Sequence, residues 1–552
     1  MKIKSFVPLA LLLTIGMAFI SGCQKGDLID NPNVATSSGT IPASLLLNHL
    51  TATLIRSDEQ PFSMSSKNEQ FVLSNYAYYW GNNSYGFSNS ETSYDILKYA
   101  IALQTQATKQ LGNTTNKYYA IAQFFKAYAG VWLTQRVGDI PFSQAGDPTI
   151  LQPKYDTQHD VYKSALALLD NANTIIAPLA AANPNGAFDT GDIFGLTYLQ
   201  WQKVINSYRL RVLISLQKRA VDNADLNIVQ QFNTIVSNPT TYPIMTSNAD
   251  NVVYKYNQAF NTYATYSQGL QPYDNFGSMG LPFITATSST QDPRLAVVAT
   301  PSPSQIAGGK TFSDFTAWVG ADDNQTIAVL NSNAAAGQYS YLNFNRYFSL
   351  PAAYSGANAE PFIFIGYAEL CFNVAEGINR GWTTGSSSTW YNNGISASLS
   401  TYGITNGEVL TIGYPIATTN PTLNPHQLAQ GAAWGTTTVN LPQFLANVAY
   451  AGDNTNGLAQ IFTQRYVAMF CNSGWESFYQ WRRSVSTTYP NGIPTWSQGV
   501  AGSIGTQSGL IPRRWQYPSA ESTSNTANYN AALTSQFGSA TDDVSKDTWL
   551  TK

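Results

Sequence analysis

Glu369 and Glu376 lie seven residues apart, which on a helix places both carboxylates on one face, two turns from each other. Two carboxylates roughly 5 to 10 Å apart are what glycoside hydrolysis requires. The same two groups facing cations make an ion-pair scaffold, and that structural role is the expectation for this pair. Metal hydrolysis needs clustered ligands, but His49, His159 and His426 are the only histidines, no two of them at helical ligand spacing, and there is no Cys-x-x-Cys. The segment Ala501-Gly502-Ser503-Ile504-Gly505 approaches a nucleophile elbow, but it lacks the first glycine and has no strand before it, so it reads as a loop. Asp322-Asp323-Asn324 offers oxygens to calcium without the spaced ligands of a calcium loop. Arg482, Arg483, Arg513 and Arg514 have the planar fork that grips carboxylates.

A different chemistry, recognition without turnover, is written in the aromatic residues. Tyr76, Tyr78, Tyr79, Trp80, Tyr85 and Phe87 surround Asn82, Asn83 and Ser84 in one short stretch. A flat ring covers the apolar face of a sugar or a peptide side chain, while neighbouring amides satisfy the polar edge. Core packing is expected to claim about half of these rings. A second set, Tyr263, Tyr266, Tyr273, Asn275 and Phe276, falls in an irregular region where exposed rings imply a partner. The candidate ligand residues are therefore Tyr79, Trp80, Asn82, Asn83 and Tyr85, with Tyr263, Tyr266, Tyr273 and Asn275.

The elements that must position these groups are mostly helical. Helical periodicity covers 42–56, 67–80 and 91–110, and from Lys117 to Arg136 apolar side chains nearly encircle the helix, which predicts burial on more than one face. Gly138 and Pro141 stop it. Thr157 and Asp160 have capping-box spacing ahead of Tyr162, Ala165, Leu166 and Leu169. Phe194, Tyr198, Trp201, Ile205, Tyr208 and Val212 form one core-facing stripe. Residues 239–350 lose the helical period and read as loops with a few strands, one of them at Val252 to Tyr256. The period returns with Phe364, Ala368, Cys371, Ala375 and Ile378, then over 387–402, 457–470 and 475–483, with a polar loop at 403–438. Small residues at Ala122, Ala129, Ala368 and Ala375 suit close helix crossings, as in a stacked array of helix hairpins, although no strict 34-residue period is visible.

At the amino end, Lys2 and Lys4 precede an apolar run from Phe6 to Ile20. That run is too short for the roughly 30 Å hydrocarbon core and reads as a cleaved secretory signal over 1–22. Ile20-Ser21-Gly22-Cys23 is similar to the bacterial lipobox, which makes Cys23 the expected lipid-bearing first residue of the mature chain. Residues 23–40 have a flexible tether's composition, and 41–552 are read as one domain with irregular insertions around 239–350 and 403–438. Charged residues make up 11% of the 552, against about 25% in typical proteins. A net charge of -3 and no basic cluster longer than a pair give no footprint for nucleic acid. Beyond Cys23 only Cys371 and Cys471 remain, so one disulfide at most can form, and two separate buried thiols are expected.

Several motifs in one order resemble the SusD/RagB outer-membrane lipoproteins of Bacteroidetes. They begin with Arg136-Val137-Gly138-Asp139-Ile140-Pro141-Phe142, Pro153-Lys154-Tyr155-Asp156-Thr157-Gln158 and Asp292-Pro293-Arg294-Leu295. Ala368-Glu369 then leads through Arg380-Gly381-Trp382 to Tyr391 and the 395–404 helix. The carboxyl-terminal set matches best: Gln464-Arg465-Tyr466, Trp475-Glu476, Trp481-Arg482-Arg483, Ile511-Pro512-Arg513-Arg514, Tyr517-Pro518, Glu521 and Asn528-Tyr529-Asn530. The resemblance implies a mostly α fold, with tetratricopeptide-like stacked helix pairs and a loop-rich, strand-poor second face. It also implies that the four arginines are scaffold, pairing with acids such as Glu476 or with helix carboxyl ends and locking the last segment against the array.

Functionally, the resemblance implies a non-catalytic, lipid-anchored protein of the outer membrane facing the cell exterior. Such a protein uses no cofactor, binds an oligosaccharide or a peptide, and passes it to a SusC-like TonB-dependent transporter. It places ligand-contacting aromatics and amides in a region comparable to 76–87. The rival readings are a surface glycoside hydrolase or peptidase, which would show turnover, and an adhesin or structural surface protein, which would bind no small ligand.

Overall fold

In the computed structural model, which describes residues 40–75, 81, 83–87, 94–256, 277–347, 360–413, 433–498 and 510–552, about half of the described residues are helical. The helical series is α1 (Ala43–Ala52), α2 (Asp95–Leu111), α3 (Lys117–Val137), α4 (Gln158–Ala182), α5 (Tyr198–Ser215), α6 (Ile228–Ser237), α7 (Tyr367–Asn379), α8 (Ser387–Thr401), α9 (Thr455–Ala468), α10 (Glu476–Ser484) and α11 (Thr526–Phe537). Each of α1 to α5 packs on the next, α5 also packs on α7, and α7 meets α8 and α9. Short connections between α2 and α3 and between α7 and α8 fold these pairs back on themselves as hairpins. The mostly α class and the stacked pairs expected from the resemblance are therefore present.

Why these residues make these helices is plain at three places. In α3 every residue from Ala120 to Val137 except Lys126 is buried, as the encircling apolar pattern requires. Asn116 caps its first turn by accepting from Tyr119 N, and Gly138 ends it at φ 102°, a backbone angle that costs a side-chain-bearing residue dearly. Thr157 caps α4 by accepting from Asp160 N. Thr197 and Gln200 close a reciprocal capping box at the head of α5, whose Trp201, Ile205, Tyr208 and Val212 are buried. By length and composition α4 could cross a membrane, but it lies between α3 and α5 in the stack and is a core helix.

The middle of the chain carries the few strands expected there, one of them at Val252–Tyr254, and departs from the expectation only in its short helices. Strands β1 (Val72–Ser74), β3 (Gly277–Met279), β4 (Ala299–Thr300) and β5 (Tyr341–Leu342) form one antiparallel sheet in the order β1-β3-β5-β4, while β2 (Val252–Tyr254) pairs with β6 (Phe362–Ile365). Short helices such as Leu281–Ser288 and Ile327–Ala335 fill out the same region. The 67–80 helix is also corrected over its described part, 67–75. There helix ends with Met64–Asn68, Gln70 turns through φ 56°, and β1 leaves to pair with β3 some two hundred residues away. A distant strand partner outweighs local helical spacing here. Gly280 follows β3 so close to Gln70 that a Cβ would sit 1.8 Å from its carbonyl oxygen, so only glycine fits. The 403–438 loop contains a hairpin, β7 (Val409–Gly413) with β8 (Ala433–Thr438).

Candidate functional site

The carboxylates that sequence reading singled out are spent on arginines. Arg211 of α5 donates from Nε to Glu369 Oε1 at 2.7 Å and makes a second contact through Nη2. Arg465 of α9 reaches Glu369 Oε1 at 3.0 Å and Glu476 Oε2 at 3.4 Å, and its Nη1 donates to Gln480. Burial pushes the Glu369 carboxyl up, but the two guanidinium groups outweigh it and hold the group below its ordinary value. Glu476, half-buried, is pushed the other way, by burial and by repulsion from Glu369, against the pull of Arg211 and Arg465.

One turn-pair further along α7, Glu376 is held between Arg380 and Arg483. This carboxylate too lies below its ordinary value, because the two cations outweigh burial. Arg513 pairs with Asp547 and Arg514 with Asp542. Arg482 pairs with no acid among the described residues. It donates from Nη1 to the carbonyls of Gln135, in the last turn of α3, at 2.9 Å and of Arg513 at 2.8 Å, and burial lowers its pKa to about 10. Arg482 thus ties residues 510–552 to the helical stack, with Arg513 Nη2 donating back to the Arg482 carbonyl, while Arg483 joins α10 to α7 and Arg514 braces the 510–552 segment internally.

The other shared motifs explain themselves in the same way. Arg136 spans Asp58 and Glu59 at 2.9 Å each, with Trp132 and Trp475 donating ring N–H groups to the same acids. Arg294 closes on Asp292 across Pro293 and also reaches Ser398 and Gln464. Tyr155 donates to Glu521 at 2.6 Å, and Tyr517 to the Asp139 carbonyl at 2.7 Å. Arg211, Arg136 and Asp58 were not singled out as partners, because a helical pattern shows that an arginine lies on a stripe but not which acid meets it.

Of the expected ligand residues, Asn83 and Tyr85 lie in described structure, and both face inward. Asn83 Nδ2 donates to Ser74 O at 2.9 Å while its Oδ1 accepts from Ser74 N at 2.8 Å, so the amide continues the pairing edge of β1. Tyr85 Oη accepts from Gln70 Nε2, and Gln70 itself is joined both ways to the Ser497 backbone. Phe87 is buried and stacks on Trp515 with ring centroids 3.8 Å apart. Tyr76, Tyr78, Tyr79, Trp80, Asn82, Tyr263, Tyr266, Tyr273, Asn275 and Phe276 lie outside the described residues, as do Cys23, His426 and the 501–505 segment.

Asp323 and Lys67 form a further buried polar group. Asp323 is buried, which with neighbouring Asp322 pushes its carboxyl up to about 7 against the pull of Lys67. Burial lowers Lys67 to about 8. Asp322 accepts from Asn324 N and from Ser497 Oγ, so this member of the triplet that suggested calcium is engaged with protein donors. Among the described residues no three His, Cys, Asp or Glu side chains come together as a metal site would require. Cys371 and Cys471 are separate free thiols, the first buried and the second half-buried. His159 sits between Asp160 and Asp225. Burial lowers its pKa, but the hydrogen bonds to those acids prevail and raise it.

This geometry is one of scaffold, and comparison with known proteins names the scaffold. The profile of the SusD-like family, described as starch-binding and associating with the outer membrane, matches residues 33–518. The chain belongs to the SusD-like family. A SusD homologue from Bacteroides fragilis is similar over 92% of this chain and 100% of its own, at 25% identity and a TM-score of 0.72. A second SusD homologue from the same species reaches 27% identity and a TM-score of 0.68, over 92% and 99%. A chitin-binding protein shares the fold at 21% identity and a TM-score of 0.63, over 92% and 99%. No curated protein matches the chain in sequence. In this SusD-like chain the best-matching motifs, from Gln464 to Tyr517, are mostly buried scaffold, so they carry fold information.

Proposed function

We propose that this chain is a non-catalytic capture protein that binds an oligosaccharide at the cell surface and passes it to a SusC-like, TonB-dependent transporter in the outer membrane. The family match over residues 33–518 carries this reading. The family's description names starch, one structural relative is a chitin-binding protein, and Glu369 and Glu376, which a glycosidase would need free, are engaged by arginines. In this reading the aromatics of 76–80 and 263–276 cover sugar faces, while Asn83 and Tyr85 hold the loop base.

Trp80→Ala and Tyr273→Ala are each expected to weaken glycan binding by about 1–3 kcal/mol, the loss of one aromatic anchor, with little change in melting temperature. Calorimetry against a panel of oligosaccharides and peptides checks this. Normal binding by both variants would move the site elsewhere, and binding of peptides alone would replace the ligand class. Cleavage of any panel member, abolished by changing a carboxylate pair, would overturn the non-catalytic reading.

The attachment is lipid on Cys23, followed by the 23–40 tether. Cys23→Ser is expected to leave the protein soluble or unprocessed, as membrane fractionation would show. A variant that stays membrane-bound through high-salt washing would mean that another element holds it.

A further inference from the structure

The tether 23–40 joins the body at Ile41, just before α1, and three exposed aliphatic side chains stand around that junction: Leu45 at 62%, Leu111 at 45% and Ile193 at 43% exposure. A circuit of contacts brings them to one end of the helical stack. Gln110, beside Leu111 in the last turn of α2, donates from Nε2 to Ile41 O at 2.6 Å and accepts from Ala43 N at 3.2 Å. On the other side of α1, Thr51 Oγ1 donates to Gly191 O at 3.1 Å and accepts from Ile193 N at 3.4 Å. Gly191 comes so near α1 that a Cβ would lie 2.1 Å from Ser44 O. Lys117 closes the circuit, because residues 112–116 carry the chain to it from Leu111 and its Nζ lies 3.3 Å from Asp189.

Exposed aliphatics scattered singly need no explanation, but three gathered around one junction ask what covers them. The rim answers in favour of a lipid surface. Tyr118 and Tyr198 are half-buried beside Phe188, and Lys117 Nζ stands 5.4, 5.8 and 5.6 Å from the three ring centroids. Tyrosine settles at the headgroup level of a bilayer, and a lysine stem covers apolar surface while its ammonium stays with phosphate. Lys109, exposed one turn before the end of α2, is a second cation on this rim. The acids do not oppose it, since Asp189 pairs with Lys117 and Asp192 turns inward to accept from Trp201 Nε1 at 2.8 Å. A flexible tether of this length has an end-to-end distance of about 25 Å, so a lipid on Cys23 brings this end of the stack to the bilayer first. We infer that the α1 end of the stack rests on the membrane, with Leu45, Leu111 and Ile193 in the boundary between headgroups and acyl chains. The inference rests on the lipid attachment proposed above and adds to it the face that the body turns to the membrane.

Hydrogen–deuterium exchange on the full lipidated chain, floated with vesicles of phosphatidylcholine and phosphatidylglycerol, tests it. Exchange over residues 112–116 and 189–195 is expected to slow several-fold relative to the Cys23→Ser chain mixed with the same vesicles, while the β7–β8 hairpin exchanges alike in both. Combining Leu45→Ser, Leu111→Ser and Ile193→Ser should abolish the slowing while the chain still floats and keeps its melting temperature, because all three side chains are exposed. Leu45→Glu alone should act in the same direction, and it reads the same face if the triple change disturbs folding. A parent chain that fails to float would overturn the lipid attachment and the inference together. A parent that floats yet exchanges over both segments as Cys23→Ser does would overturn the inference alone. So would slowing that survives both variants, or slowing that appears only with the transporter in the vesicles, which would give the face to a protein partner.

Discussion

Glu369→Ala is expected to lower the unfolding free energy by about 3–5 kcal/mol, because it strips two buried guanidinium groups of their shared carboxylate. Arg211 and Arg465 are 6% and 2% exposed, so neither can turn to water for a replacement. The remaining acid, Glu476, lies 3.4 Å from one and 3.9 Å from the other and is left to neutralise both. The loss measures an uncompensated buried charge, not the net worth of the ion pairs. A combined replacement, Glu369→Leu with Glu476→Leu, Arg211→Met and Arg465→Met, is therefore expected to recover part of the loss by removing the orphaned charges together. Urea unfolding of the three proteins decides it, and a Glu369→Ala cost under about 1 kcal/mol would show that the cluster is hydrated. The pH dependence follows with a definite sign. Burial opposes ionisation of Glu369, but Arg211 and Arg465 prevail and its folded pKa is depressed. Its contribution is therefore present above the unfolded carboxyl's pKa and lost as pH falls through the lower folded value. The variant lacks that part of the acid transition.

How much of this was legible in the sequence depended on whether a feature's partner was local. The encircling pattern of α3, the cap at Thr157 and the stop at Gly138 are set within a turn or two, and each stands where the residues placed it. The Thr197 cap is equally local, and only the stripe behind it was singled out. The strands β1 and β3 to β5 are two or three residues long, too short for alternation to register, and β1 is defined by a partner two hundred residues away. The helical period at 67–80 accordingly misled, since Gln70 and the Ser497 backbone bind each other across most of the chain. Ion pairing was foreseen by residue type for Glu369, Glu376 and the carboxyl-terminal arginines, but the partners Arg211, Asp542 and Asp547 required the fold. The ligand face was the least legible. A tyrosine beside an asparagine reads alike whether it faces a sugar or a strand edge, and Asn83 proved to complete the edge of β1.

Trp515→Ala is expected to be as damaging as the loss of Glu369, and through a different cause. The indole is 3% exposed and lies at the centre of an aromatic cluster: stacked on Phe87 at 3.8 Å and 17°, edge-on to Trp475 at 4.9 Å and to Phe478 at 5.4 Å. Arg136 places its guanidinium carbon 5.0 Å from the same ring. Truncation leaves a void that these rings cannot fill without leaving their own contacts, and large aromatic-to-alanine changes in such settings cost about 3–5 kcal/mol. Trp515→Phe keeps the stack on Phe87 and should lose much less. The consequence reaches the candidate ligand face, because Gln516 N donates to Phe87 O at 2.8 Å and Phe87 ends the stretch that carries Asn83 and Tyr85. With that end released, the loop before it loses one of its two fixed ends, and a bound glycan would have to supply the ordering itself. Trp515→Ala should therefore bind oligosaccharide more weakly even under conditions where it remains folded, whereas Trp515→Phe should bind almost as the parent does. Denaturant unfolding and calorimetric titration on the same samples separate the two effects. An alanine variant that unfolds early yet binds normally would place the ligand away from residues 76–87, on the 263–276 set.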